Sequence, residues 1–255
     1  MGGGGTVSNS SLLEVSRLYK NFGGVQAIHN LAFEIAEGEL LGLIGPNGSG
    51  KTTAVNLITG FVKPRQGAIH YRGQDITAWP PYKIVRLGIA RTFQMVKPFY
   101  QLPAYKNMII PLYSPRVKGM TGGKYGDRDA VALDLLEEVG FERDAFVAYK
   151  TASALPQGYL KRLELAKAIA LNPDLLILDE LFSGLSLAEV ASILPIIEKL
   201  RFEGKTIIMI EHRLKELFRV ADRVMVLNYG QKIADGKPAE VMATEAVKNA
   251  YLGTE

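Results

Sequence analysis

Cysteine is absent from the 255 residues, which removes disulfide frameworks, thiolate zinc sites and cysteine nucleophiles together and fits a reducing cytoplasm. Histidine occurs only as His29, His70 and His212, too few for a histidine-rich metal site. Long apolar runs are missing too: Leu175 to Leu178 and Ile207 to Ile210 stop far short of the ~18–20 residues that span a bilayer, so the chain is not itself a channel or carrier. There is no Lys/Arg block. Thirty basic and 26 acidic residues leave a charge of +4 spread along the chain, so nucleic-acid binding is not indicated, while anionic ligands are tolerated. Met1 to Ser11 is Gly/Ser/Asn-rich, lacks the charged and apolar regions of a signal peptide, and is expected to be a flexible leader. Against these absences, 47% hydrophobic and 22% charged residues exclude a disordered chain. The length is enough to bury roughly 70–75% of the unfolded surface in one domain with a side lobe.

From Leu12 to Ile44, short apolar runs broken by Gly23-Gly24 and Glu37-Gly38 predict strands and turns leading into a buried strand at Leu40 to Ile44. After Lys51 the pattern turns helical and ends at Gly60. Between Gln94 and Leu171 the prolines at 98, 103, 111 and 115, a flexible tip at Gly122-Gly123 and a helical period over Asp129 to Val139 predict a mainly helical lobe. Leu160 to Leu171 reads as a helix with Leu163, Ala166 and Ile169-Ala170 inward, stopped by Asn172-Pro173-Asp174 before a buried strand at Leu175 to Leu178. Ser186-Leu187-Ala188-Glu189 matches a capping box. A helix follows it, then a strand at Thr206 to Ile210, another helix, and a strand at Arg223 to Leu227. Helices alternating with buried strands imply an α/β protein with a largely parallel sheet.

Gly45-Pro46-Asn47-Gly48-Ser49-Gly50-Lys51-Thr52 fits a phosphate loop and lies where that motif must, after a buried strand and before a helix. Glycines let backbone N–H groups bend around a polyphosphate, the helix N-terminus adds a positive dipole, Lys51 reaches the β and γ phosphates, and the Thr52 hydroxyl suits Mg²⁺. A second element, Leu175 to Glu180, delivers two carboxylates at the carboxyl end of a buried strand, where ligands sit in open α/β sheets. Asp179 is suited to hold Mg²⁺, through water, and Glu180 to accept a proton from the water that attacks the γ-phosphate.

These residues resemble the ATP-binding cassette (ABC) family, from about Leu12 to the C-terminus. Phe22 stands where that family places an aromatic ring under adenine, the bland alternative being a hairpin core aromatic. Gly88 to Gln94 looks like the segment ending in the family's lid glutamine, whose amide reaches Mg²⁺ and the attacking water. Ile210-Glu211-His212 resembles the switch-histidine segment, where the imidazole contacts the γ-phosphate. Leu155-Pro156-Gln157-Gly158-Tyr159 aligns with the signature, usually LSGGQ. Here Pro156 replaces the serine whose hydroxyl meets the γ-phosphate, a loss of roughly 1.5–3 kcal/mol. Leu181 and Ser186 replace the usual proline and the aspartate that closes the following loop, although a helix cap accounts for Ser186 equally well.

The resemblance implies a P-loop NTPase with a RecA-like core of mixed, mostly parallel sheet, an N-terminal antiparallel β element and a helical subdomain. The expected divisions are a leader at 1–11, core at 12–94 and 172–255, and helical subdomain at 95–171. It implies Glu180, His212 and Gln94 as catalytic residues and Thr52, Gln94 and Asp179 around Mg²⁺. Nucleotide contacts are implied at Phe22, Gly45, Pro46, Asn47, Gly48, Ser49, Gly50, Lys51, Thr52 and Thr53, with Leu155, Gln157 and Gly158 serving the ATP of a second, head-to-tail ATPase subunit. Gly88 to Gln94, the Leu-Pro start of the signature with Arg162-Leu163-Glu164, and the ending Tyr251-Leu252-Gly253 resemble the ATPases of branched-chain amino acid importers; export ATPases for lipopolysaccharide share the ending. A subunit of that kind drives separate transmembrane permease subunits from the inner face of the membrane and never touches the solute. Motion would pass through the Gln94 loop and Met95 to Tyr105, with Phe99, Tyr100 and Leu102 either contacting the partner or packing the lobe. The rival expectation is an ATP-binding regulatory subunit with little turnover of its own.

Overall fold

The first two strands, β1 (Ser11–Phe22) and β2 (Val25–Ala36), form an antiparallel hairpin about Gly23-Gly24 in a computed structural model that describes residues 11–120, 127–143 and 145–252. Ser11, expected in the leader, is paired with Ala36 in this hairpin; the rest of the leader, the Gly122-Gly123 tip and Gly253 lie outside the described residues. The expected buried strand follows as β3 (Leu40–Ile44), then α1 (Lys51–Ile58), with Gly60 at φ 76° ending the turn beyond it. Next come β4 (Gln66–Tyr71), β5 (Gln74–Asp75), α2 (Pro81–Leu87) and a three-residue strand the sequence pattern does not mark, β6 (Ile89–Arg91).

Residues 95–171 carry helices: a 3-10 turn at Tyr105–Met108, α3 (Ile109–Leu112), α4 (Pro115–Met120), α5 (Arg128–Glu138) and α6 (Gln157–Ile169). The Asp127 side chain caps α5 by accepting from the N–H groups of Asp129 and Ala130. Helix α6 begins three residues before its expected start, because Pro156, at φ −57° and ψ 156°, serves as the N-cap, where a missing N–H is no loss. Leu163, Ala166 and Ala170 face inward as expected; Ile169 is only partly buried.

The remaining order is β7 (Leu175–Asp179), α7 (Leu187–Phe202), β8 (Thr206–Ile210), α8 (Leu214–Val220), β9 (Arg223–Asn228), β10 (Gln231–Gly236), α9 (Pro238–Ala243) and α10 (Glu245–Leu252). The capping box at the start of α7 is complete: the Ser186 hydroxyl accepts from the Glu189 N–H at 3.2 Å and the Glu189 carboxylate accepts from the Ser186 N–H at 2.8 Å.

One sheet is antiparallel, in the order β2-β1-β4-β5; the other runs β10-β9-β3-β8-β7-β6 and is parallel except for β10. Strands buried on both faces read as continuous apolar runs, and alternate side chains divide between two cores. Leu41, Leu43, Leu175, Ile177 and Ile208 pack with α1 and the antiparallel sheet, whereas Leu40, Ile44, Leu176, Leu178 and Met209 pack with the helices of the opposite face. Because β3, β8 and β7 are parallel neighbours, Gly45, Glu211-His212 and Glu180 emerge side by side at one sheet edge. No helix among the described residues is long and apolar enough to cross a membrane.

Candidate functional site

The loop after β3 is bent by glycines, and at two of them, Gly45 and Gly50, the neighbouring backbone leaves no room for a side chain. Gly45 lies at φ 149°, and a Cβ there would stand 2.1 Å from the Leu227 carbonyl oxygen of β9; at Gly50, φ 106°, it would stand 2.7 Å from the Ala27 carbonyl oxygen. No side chain caps α1, so the amides of its first turn point into the loop. Ser49 is buried, and its hydroxyl has no hydrogen-bond partner among the described residues. Lys51, the first residue of α1 and 6% exposed, donates from Nζ to the Gly45 and Pro46 carbonyl oxygens at 2.8 and 2.9 Å. Burial pushes its ammonium below the usual lysine range, and the Glu180 and Asp179 carboxylates work against that shift. A cleft of about 310 Å³ opens over this loop, lined by Asn47 to Thr53 with Val25, Gln26, Ala27, Glu180 and Tyr229.

At the end of β7, Asp179 is 2% exposed and its Oδ2 accepts from the Arg91 guanidinium at 2.5 Å. The same guanidinium donates to Asn56 Oδ1 at 2.6 Å, bridging α1, β6 and β7. Glu180 follows at φ 50°, in the left-handed region that a non-glycine residue occupies only at a cost. Its Oε2 accepts from Gln94 Nε2 at 2.6 Å, and its Oε1 lies 3.2 Å from His212 Nε2. The three expected catalytic residues therefore form one hydrogen-bonded row beside the loop. A second cleft, about 530 Å³, holds Asp179, Arg91, Gln94, Met95 and Lys97, and Thr52 lines both clefts.

Other expected residues stand apart. Phe22 is half exposed at the hairpin end, too open for a core aromatic; Lys20 lies over its ring at 5.1 Å, and Val25, its strand partner, lines the cleft while Phe22 does not. Leu155, Gln157 and Gly158 line neither cleft. Gly158, inside the first turn of α6, is packed so closely that a Cβ would lie 2.3 Å from a Glu189 carboxylate oxygen.

Sequence reasoning missed the charged groups buried beneath the site. Arg91 lies within the segment it singled out, but a lone arginine after Ile89-Ala90 carries no one-dimensional sign of pairing. Lys161, 1% exposed, donates from Nζ to the backbone oxygens of Gln94 and Glu180, both at 3.0 Å. Glu211 accepts from the Phe182 N–H at 2.9 Å, and burial pushes its carboxyl up to about 8.

Residues 28–183 match the family model described as "ABC transporter". The chain belongs to the ABC transporter family. Residues 231–255 also match the model described as "Branched-chain amino acid ATP-binding cassette transporter". The cassette is 35% identical over 252 residues to the high-affinity branched-chain amino acid transport ATP-binding protein BraF of Pseudomonas aeruginosa, covering 95% of this chain and 98% of that one. It is 35% identical, with the same coverage, to the high-affinity branched-chain amino acid transport ATP-binding protein LivG of Escherichia coli. Among solved structures it resembles a nucleotide-free ATP-binding cassette from an ABC transporter, with a TM-score of 0.85, 27% identity, and coverage of 96% of this chain and 100% of the other. It also resembles the ADP conformation of an ATP-binding cassette of an ABC transporter, with a TM-score of 0.83, 28% identity and the same coverage. The cassette is thus a nucleotide-binding ATPase of P-loop NTPase fold.

Proposed function

We propose that this cassette drives uptake of branched-chain amino acids by hydrolysing ATP at the cytoplasmic face of a membrane, in contact with separate transmembrane subunits that carry the solute. The observation that carries the hydrolytic part is the row Gln94–Glu180–His212 beside a glycine cradle that holds the Lys51 ammonium at the Gly45 and Pro46 carbonyls. The relatives' names support the solute class.

Lys51 Nζ exchanges the carbonyls of Gly45 and Pro46 for the β and γ phosphates of ATP, and the loop amides and the α1 dipole hold the remaining phosphate charge. Phe22 stacks on adenine. The Thr52 hydroxyl, Gln94 amide oxygen and Asp179 would hold Mg²⁺; a hydroxyl, an amide and a carboxylate are the hard oxygen donors that ion takes beside substrate phosphates. Mg²⁺, when bound, supplies positive charge against the phosphate oxygens. Glu180 takes the proton of the attacking water, Gln94 orients that water, and His212 contacts the γ-phosphate. A second cassette, head to tail, offers its Leu155, Gln157 and Gly158 to the same nucleotide. Met95, Phe99, Tyr100 and Leu102, all exposed, fit contact with the transmembrane subunits better than lobe packing.

Purified cassette should hydrolyse Mg-ATP, and Glu180→Gln should bind ATP while losing ~10²–10⁴-fold in turnover. Parental turnover in that variant rules out the assigned base. Pro156 favours one rival, a regulatory subunit; tight Mg-ATP binding without turnover, alone or with its partners, would establish that reading instead.

A further inference from the structure

Lysine is almost never fully buried unless paired, yet Lys161 is 1% exposed. It sits in α6 four residues after Gln157, on the same helix face as that signature residue, the first of the helix. Its ammonium, with three donors to place, bonds two backbone oxygens that belong to different segments: Gln94 O in the lid loop and Glu180 O at the end of β7, each at 3.0 Å. Glu180 is the residue at φ 50°, and its N–H donates to Ile210 O of β8 at 2.9 Å. Both backbone polar groups of this strained residue are thus held, the N–H by the sheet and the carbonyl by Lys161 of α6 together with the Ser183 N–H at 3.2 Å. Burial pushes this ammonium below the usual lysine range, and the carboxylates of Glu211, Glu180, Asp179 and Glu164 work against that shift.

We propose that Lys161 is a positioning residue that pins the signature helix to the backbone of both catalytic segments, so that movement of α6 reaches the Glu180 carboxylate and the Gln94 lid together. This rests on the assignment of Glu180 and Gln94 above. One rigid helix carries the signature end at its first turn and this pin one turn later. A shift of α6 on meeting the partner's nucleotide therefore displaces two carbonyls that aim the base and the lid, with no intervening side chain. Misplacement of catalytic groups by about 1 Å can lower a rate by about 10²-fold, so the pin is worth testing by turnover and by backbone protection together.

The test compares the full chain with Lys161→Met, Lys161→Arg and the neutral pair Lys161→Met/Glu211→Gln. It measures kcat, KM, Mg-ATP affinity by calorimetry, and amide hydrogen exchange over 92–98 and 180–185. Lys161→Met should lose roughly ten-fold or more in kcat. Its nucleotide affinity should stay within about three-fold of the parent, and exchange should rise in both segments at once. Lys161→Arg, which can still donate to both carbonyls, should recover most of the turnover. If Lys161→Met folds poorly, the pair also replaces the buried Glu211 carboxyl that loses its cationic neighbour, and the proposal expects its kcat to stay low even as its thermal midpoint recovers. Parental kcat in Lys161→Met, or recovery of kcat along with stability in the neutral pair, overturns the proposal. Failure of the catalytic assignment is recognised separately, by a parent without turnover or a Glu180→Gln variant that keeps it. Exchange needs no turnover, so unaltered protection in both segments of Lys161→Met overturns the pin in that case too.

Discussion

Replacing Arg91 by methionine tests how the nucleotide-free site tolerates a buried acid. The Arg91 and Asp179 side chains are 7% and 2% exposed, and their charged atoms meet at 2.5 Å. At an effective dielectric constant of about 20, opposite charges ~4 Å apart attract by ~4 kcal/mol, an attraction that offsets the cost of taking both from water. Removing only the guanidinium leaves the carboxylate buried alone, at a cost of ~3–5 kcal/mol. Loss of the bond to Asn56, which lies in a partly exposed position where water can substitute, adds at most ~1 kcal/mol. Urea unfolding in the presence of EDTA should therefore show Arg91→Met to be ~3–5 kcal/mol less stable than the parent. Arg91→Lys should fall between, because it keeps the charge but not the planar fork that reaches both partners. Mg-ATP brings positive charge toward Asp179, so Arg91→Met should gain in Mg-ATP affinity relative to the parent, and at the same free Mg-ATP concentration, where stabilisation grows as RT ln(1 + [L]/Kd), it should be stabilised more than the parent. A loss under ~1 kcal/mol without ligand, or equal protection of the two chains at the same Mg-ATP concentration, refutes the reasoning.

Pro156→Ser puts a side-chain oxygen at an N-cap that has none, which should add ~1 kcal/mol of stability. In a Glu180→Gln background it should strengthen ATP-dependent dimerisation about ten-fold or more, read by light scattering, through the restored bond to a phosphate; an unchanged dimer fraction contradicts the sandwich. Gly158→Ala drives a methyl group against the Glu189 carboxylate and should break the capping box of α7, lowering the urea midpoint by the equivalent of ~1 kcal/mol or more; an unmoved midpoint means that the contact is slack. Glu211, raised from 4.5 to about 8, binds its proton more tightly in the folded state. Its contribution is complete below the ordinary value and lost as pH rises toward 8, with a slope of up to ~1.4 kcal/mol per pH unit. Glu211→Gln should flatten that fall between pH 5.5 and 8, and a parent already flat over this range contradicts the assignment.

The sequence made the strands β3, β7, β8 and β9 legible because each is buried on both faces and reads as an unbroken apolar run. Ser186 and Glu189 were legible as a cap because that motif is local. The glycine cradle was equally clear, since strand, loop and helix stand in order along the chain. Three-residue β6 was not: among the described residues it pairs only with β7, and too few residues alternate for a pattern to form. The start of α6 was misplaced because apolar periodicity begins at Leu160, whereas Pro156 ends the preceding extended segment and lets the helix start at once. Arg91, Lys161 and Glu211 escaped for one shared reason: charged residues read as solvated, and their burial arises only when α1, β6, β7, β8 and α6 converge at one sheet edge.

Calorimetric titration of Mg-ATP into the parent and into Lys51→Ala tests the cradle most directly. The account predicts saturable binding by the parent and a loss of at least ten-fold in the variant, as removal of a charged phosphate contact of ~1.5–3 kcal/mol requires. No heat of binding in the parent, or equal affinity in both chains, contradicts it.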